Sequence, residues 1–293
     1  VMNQPMMTGR TLKELLPTAH FVDVDDELII HRVTTDSREV QPGDLFIALK
    51  GEKFDAHDFL MDVQRRGAAV CLIHDEARLP VNMPAVVVGQ SLLGLQSLAR
   101  AWRLHQGQLN HLVVVTGSNG KTTVKGMIAS IFEAALGSEK VLSTVGNFNN
   151  EIGLPLTLLR LRPEHQLAVI ELGMNHPGET QSLAEIAMAD IALINNAQRE
   201  HQEFMISVAM VAKEHALAIQ HLPKNGCAVF PADSEYSPEW RLAAEERQKI
   251  TFAWDSKVEA SVKGVWHDLS QQQITVQTAQ GSIEVTLNIL GEH

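Results

Sequence analysis

Hydrophobic residues in this chain switch between short continuous runs and helical spacings, and the order of the two predicts most of the elements. Leu112 to Val115 form an apolar run without polar alternation, the pattern of a parallel strand covered on both faces. Residues 167–172 and 191–195 repeat it, 228–231 supply a further strand, and 141–144 are strand-like. Helical spacing fills the intervals. It runs over 91–104 through Leu92, Leu95 and Leu98, over 122–135 through Val124, Ile128 and Ile131, and over 179–188 and 207–220. Strand and helix in alternation predict a doubly wound, mostly parallel sheet. After Lys249 the pattern changes to short alternating runs at 250–254, 260–266, 274–278 and 283–290, which read as a β-meander.

The first stretch of chain is mixed. Residues 10–16 predict a short helix capped by Thr11, and 29–35 and 44–49 predict strands separated by the turn Gln41-Pro42-Gly43. Residues 58–66 have helical spacing, with Phe59, Leu60 and Val63 on one face. Gly67 then precedes the strand 68–73, and Val86 to Val88 close the segment after Pro80 and Pro84. The fold class expected is α/β: a small mixed α/β domain over 1–88, then a central P-loop-type domain over 89–293. The central domain is the mostly parallel sheet that ends in the meander. Two domains also suit 293 residues at roughly 150 per domain.

Composition narrows the class. Hydrophobic residues make up 45% and charged residues 20%, as in ordinary globular proteins. A net charge of −11 argues against nucleic acid as a partner. No apolar run approaches the roughly 20 residues that cross a bilayer, and residues 1–13 lack the order of a secretory signal. Cys71 and Cys227 are too far apart for a metal or redox motif and read as buried thiols. The expectation is a cytoplasmic monomer without membrane insertion.

The chemistry begins where the first central strand meets its helix, at Thr116-Gly117-Ser118-Asn119-Gly120-Lys121-Thr122-Thr123. Glycines at 117 and 120 admit backbone conformations that let successive N–H groups turn onto phosphate oxygens. The helix beyond adds its positive end. Lys121 can reach the β- and γ-phosphates and the Thr122 hydroxyl can ligate Mg2+. The general phosphate-loop pattern has a glycine where this chain has Val115, so the loop is a T-G-x-x-G-K-T-T variant. Glu171 ends the next buried strand, where a carboxylate suits a hard cation. His201 follows the strand after that and, beside the loop and Glu171, reads as a ligand candidate. Asn147, Asn149 and Asn150 form a cluster that fits either a turn or the recognition of polar substrate groups.

Together T-G-S-N-G-K-T-T (116–123), N-F-N-N-E-I-G-L-P (147–155), E-L-G-M-N-H-P-G-E (171–179) and N-N-A-Q-R-E-H (195–201) resemble the Mur ligases, ATP-dependent amide-forming enzymes of peptidoglycan precursor synthesis. T-T-D-S-R (34–38), P-G-D-L-F-I-A-L-K-G-E (42–52) and F-D-A-H-D-F (54–59) resemble the family's uridine-nucleotide domain. E-L-G-M-N and F-D-A-H look most like the D-alanyl-D-alanine-adding branch. The resemblance implies a ligase joining D-alanyl-D-alanine to UDP-N-acetylmuramoyl-tripeptide through an acyl phosphate. It implies ATP in the loop, with Lys121, Glu171 and His201 catalytic. Mg2+ would lie on Thr122 and Glu171, and a second ion near His201. Thr35, Asp36, Ser37, Arg38, Lys50, Asp55, His57 and the three asparagines would bind the muramoyl substrate, with Arg38 on the diphosphate.

Two departures stand beside the resemblance. The family has a third domain, and residues 290–293 resemble the start of the segment leading into it; the 293 residues alone are expected to fold, bind the UDP-muramoyl-tripeptide measurably, bind ATP weakly and form no amide bond. The family also carries a carbamylated lysine fourteen residues after the metal histidine, where this chain has His215; Lys213 lies about 200° around the helix from it. Two rival readings are a non-catalytic nucleotide-binding protein and a folylpolyglutamate synthetase, which shares the loop but lacks the D-S-R and P-G-D-L-F segments.

Overall fold

Residues 4–199, 207–254, 258, 260–266 and 271–288 are described by a computed structural model. The chain divides into two units, residues 1–109 with 147–165, and residues 110–146 with 166–293.

In the first unit β1 (Met7–Thr8) leads into α1 (Gly9–Leu15). The Thr8 Oγ1 accepts from the Thr11 N–H at 3.2 Å, so the helix is capped by Thr8 rather than Thr11. After β2 (His20–Val22), the strand expected over 29–35 divides at His31. β3 (Ile29–Ile30) pairs with β1, whereas β4 (Arg32–Thr34) pairs with β5 (Asp44–Ile47). A 3-10 turn (Ala56–Phe59) opens α2 (Leu60–Arg65), followed by β6 (Val70–Ile73), β7 (Ala85–Val87) and α3 (Ser91–His105). The sheet order is β2-β7-β6-β5-β4, parallel except for β2. Phe46, Leu60, Val63 and Ile73 meet in its core, which is why the apolar faces read in the sequence become one helix-on-sheet layer.

The chain then runs through β8 (His111–Thr116), α4 (Lys121–Leu136) and β9 (Val141–Ser143) of the second unit and returns to the first with α5 (Gly153–Leu158). α5, not anticipated from the sequence, packs on α3. The Trp102 Nε1 of α3 donates to the Leu161 carbonyl at 3.1 Å. Because α3 packs on α1, β6 and α5, the division falls after residue 109 and not near 88.

The second unit continues with β10 (Leu167–Glu171), α6 (Glu179–Ala187), β11 (Ile191–Ile194), α7 (Val208–Gln220), β12 (Cys227–Pro231), α8 (Ser237–Ala244), β13 (Gln248–Trp254), β14 (Ala260–Trp266), β15 (Gln272–Thr278) and β16 (Gly281–Leu287). Its nine strands run in the order β16-β15-β14-β13-β12-β11-β8-β10-β9. The pairs from β9 through β14 are parallel, and only β14-β15-β16 form the antiparallel meander. β13, expected to begin the meander, is instead a further parallel strand. Alternation along β8 turns Val113 and Val115 toward Val124 and Ile128 of α4. α6 and α7 also pack on β8, so the strand is covered and its run needs no polar position.

Candidate functional site

β8 lies between β10 and β11, so the chain crosses to one side of it and later to the other. In an open parallel sheet that reversal leaves a crevice at the strand C-termini. The register puts Glu171 opposite Val115 on one side and Ile194 opposite Thr116 on the other. The loop 116–120 therefore emerges flanked by Glu171 and by the segment starting at Asn195.

The loop conformation depends on its glycines. Gly117 has φ +140° and Gly120 φ +74°, both in the region that side chains disfavour. A Cβ on Gly117 would also lie 3.1 Å from the Asn196 backbone nitrogen. Three amide side chains pin the loop from β11. The Asn119 N–H donates to Asn196 Oδ1 at 3.0 Å, and Asn195 Nδ2 donates to the Asn119 carbonyl at 2.6 Å. The Asn119 Nδ2 donates to Gln198 Oε1 at 2.6 Å, while the Ser118 hydroxyl accepts from the Gln198 N–H at 2.8 Å. In the sequence Asn195, Asn196 and Gln198 stand out only as part of a motif. Their signal was an amide-rich turn directly after a strand that neighbours the loop strand.

The charged groups are arranged for an anion and a cation. Lys121 starts α4 and folds over the loop, donating from Nζ to the Gly117 carbonyl at 2.5 Å and the Ser118 carbonyl at 3.2 Å. The first turn of α4 has N–H groups with no intrahelical acceptor, aimed out of the loop. Thr122 Oγ1 donates to Glu171 Oε2 at 2.9 Å. Glu171 is buried, and its N–H donates to Thr144 Oγ1 at 2.9 Å, so the end of β10 is held while its carboxylate meets the helix. Thr122 and Glu171 thus offer two hard oxygens beside the glycine loop, a donor type that could hold Mg2+. His201 lies outside the described residues. His215 is buried and its Nδ1 shares a 2.9 Å hydrogen bond with Thr116 Oγ1, while Lys213 is exposed.

The first unit holds the other predicted residues. Thr35 and Ser37 are half-buried just beyond β4. Arg38, 84% exposed, donates through Nε and Nη2 to Asp36 at 2.9 and 2.6 Å. Those bonds, with one from the Arg38 N–H, hold the Asp36 carboxyl down at about 2. Ser37, Arg38, Phe59, Arg65 and Arg66 line an open groove together with Asp62. Lys50 and Asp55 form an isolated β-bridge, with Nζ 4.0 Å from the carboxylate. Burial pushes the Asp55 carboxyl up, but hydrogen bonds from the His57 backbone and ring outweigh it and leave it below its usual range. His57 itself is buried; its Nδ1 meets Asp55 at 2.6 Å and its Nε2 accepts from the His74 N–H at 3.2 Å. Its ring therefore fixes the loop from inside and offers no face to a ligand.

Of the asparagine cluster, Asn147 and Asn150 are exposed and Asn149 is half-buried. Asn150 Oδ1 accepts from the N–H groups of Ile152 and Gly153 at 3.2 and 2.8 Å, which starts α5. Asn150→Ala is expected to lower stability by about 1 kcal/mol through loss of this cap, measured by denaturant titration.

Residues 115–293 match the Mur ligase middle domain, and residues 29–95 match the Mur ligase family catalytic domain. The chain is 38% identical over 270 residues to UDP-N-acetylmuramoyl-tripeptide–D-alanyl-D-alanine ligase of Haemophilus influenzae, covering 92% of this chain and 58% of that protein. MurF from Acinetobacter baumannii superposes with a TM-score of 0.89 at 32% identity, over 100% of this chain and 63% of that one. MurF ligase from Thermotoga maritima, solved in complex with ADP, superposes with a TM-score of 0.76 at 29% identity, over 88% and 58%. The chain thus spans about three-fifths of the length of these relatives. With both segments matched in family order and the loop, Glu171 and the amide-rich turn assembled around one strand, the chain belongs to the Mur ligase family.

Proposed function

We propose that this chain carries the ATP-binding and uridine-nucleotide-binding parts of the ligase that joins D-alanyl-D-alanine to UDP-N-acetylmuramoyl-tripeptide. The observation that carries the reading is the Thr122–Glu171 contact at the mouth of a glycine loop closed by Lys121. A terminal carboxylate oxygen of the tripeptide attacks the γ-phosphorus of ATP and the bond to ADP breaks, giving an acyl phosphate. The amine of D-alanyl-D-alanine then attacks the acyl carbon, phosphate leaves, and the nitrogen gives up a proton.

The first step brings two anions together, so neutralisation is the main demand on the protein. Lys121 can exchange its loop carbonyls for β- and γ-phosphate oxygens with little movement of the chain. The start of α4 adds N–H donors, and Asn195, Asn196 and Gln198 keep the loop in shape before the nucleotide arrives. Thr122 and Glu171 would hold Mg2+, which supplies charge neutralisation at the phosphates. No nucleophilic side chain is called for. His176, bonded through Nδ1 to Glu179 Oε1 at 2.8 Å, is given no catalytic role in this reading.

The first unit would hold the uridine nucleotide, with Arg38 on its diphosphate. The match at residues 29–95 supports this over a folylpolyglutamate synthetase; an enzyme using these substrates would work in the cytoplasm. No helix among the described residues is long and apolar enough to cross a membrane. Arg38→Ala should weaken UDP-N-acetylmuramoyl-tripeptide about ten- to a hundredfold and leave ATP unchanged, read by calorimetry with each ligand. Equal losses for both ligands would refute the assignment of the uridine nucleotide to this segment.

A further inference from the structure

α7 turns Val211, Ala212, Ala216 and Ile219 into the core, and two polar residues, Glu214 and His215, are buried with them. Burying an imidazole costs less when a ring nitrogen keeps a hydrogen bond. The His215 Nδ1 reaches the Thr116 hydroxyl at 2.9 Å, and both residues are at most 1% exposed. Thr116 is the last residue of β8 and the first of the glycine loop. By strand alternation its side chain lies on the face opposite Val113 and Val115, away from α4. Its carbonyl accepts from the Asn195 N–H at 2.9 Å. The residue before Gly117 is therefore gripped by α7 through its side chain and by the end of β11 through its backbone.

The neighbouring Glu214, 6% exposed, points to a second loop of the same crevice. Its carboxylate accepts from the Gly178 N–H at 3.0 Å and the Thr180 N–H at 2.9 Å, capping α6. The segment that leaves β10 after Glu171 runs into α6. Two consecutive side chains, 100° apart on one helix, thus bind the loops that leave β8 and β10.

We propose that α7 is a brace for the phosphate site, and that His215 is a positioning residue for ATP that acts through Thr116. The inference rests on the nucleotide reading of the loop given above. His215 fixes where Gly117 begins its turn, and with it the carbonyls of Gly117 and Ser118 that hold Lys121. Without that anchor the loop has to be ordered by the nucleotide itself, which lowers affinity. The uridine-nucleotide segment belongs to the other unit and has no share in this bond.

The test uses the full 293-residue chain, with Mg-ATP and UDP-N-acetylmuramoyl-tripeptide titrated separately by calorimetry and folding followed by circular dichroism. His215→Leu and Thr116→Val, each removing one end of the bond, are expected to weaken Mg-ATP about tenfold. The double variant should lose no more than either single one, because both delete the same interaction. His215→Gln, which keeps a hydrogen-bonding group, should recover most of the loss. Binding of the uridine ligand should stay unchanged throughout. If His215→Leu does not fold, Thr116→Val and His215→Gln read the same bond. Unchanged Mg-ATP affinity in a folded His215→Leu or Thr116→Val variant, or multiplied losses in the double variant, would overturn the brace. A wild-type chain that binds no Mg-ATP overturns the nucleotide reading, and the brace falls with it.

Discussion

Lys121→Ala is expected to weaken Mg-ATP binding about a hundredfold and to leave binding of UDP-N-acetylmuramoyl-tripeptide intact. The ammonium group lies on the loop itself, on the Gly117 and Ser118 carbonyls. Charge-assisted hydrogen bonds to phosphate contribute about 1.5–3 kcal/mol each, and alanine removes more than one of them together with the charge. The fold should tolerate the change, since Lys121 is at the start of α4 and only partly buried. The selectivity follows from the division of the chain, with residues 34–38 in one unit and the loop in the other. Calorimetry with both ligands reads it directly. Loss of both affinities in a folded protein would contradict the separation of the two sites.

Gly117→Ala tests the loop backbone in place of its charge. At φ +140° an alanine is strained by about 1–3 kcal/mol before any contact is counted. The added Cβ would lie 3.0 Å from the Asn195 Cβ and 3.1 Å from the Asn196 nitrogen, and neither is the far end of a flexible side chain. Relief requires the loop to move off β11, which breaks the Ser118–Asn196 and Asn119–Asn196 bonds. Mg-ATP affinity should fall about ten- to a hundredfold and the melting temperature by several degrees. An alanine variant with wild-type nucleotide affinity would show that the loop is not read through its present conformation.

The parts of this site that were legible in the sequence are those carried by local pattern. A buried strand, a glycine turn and a helix are neighbours along the chain, so 111–135 could be placed from periodicity and turn chemistry alone. Glu171 was legible because a strand end in a parallel sheet has a known destination. The contacts that shape the loop were not, since Asn119 and Asn196 are 77 residues apart and only the register of β8 with β11 brings them together. His215 illustrates the same limit: its spacing from His201 only marks the position of the family's carbamylated lysine, and its burial on α7 comes from tertiary packing.

Elements went astray where local signals were weak. α5 begins after an asparagine-rich turn and contains Pro155, so its helical character comes from the Asn150 cap and from packing on α3. The core face of α8 is one tryptophan with two alanines, too little apolar surface to stand out. β13 has the alternation of an antiparallel strand but pairs parallel with β12, a choice made by the preceding α8 crossover rather than by its own residues.

The most direct test of the central claim is a competition titration, with Mg-ATP added to the chain already saturated with UDP-N-acetylmuramoyl-tripeptide. Two nucleotide sites in two units predict that ATP still binds, one per chain, without releasing the uridine ligand. Mutual displacement of the two ligands would show that one site serves both, and would contradict the assignment of the loop at 116–123 to ATP.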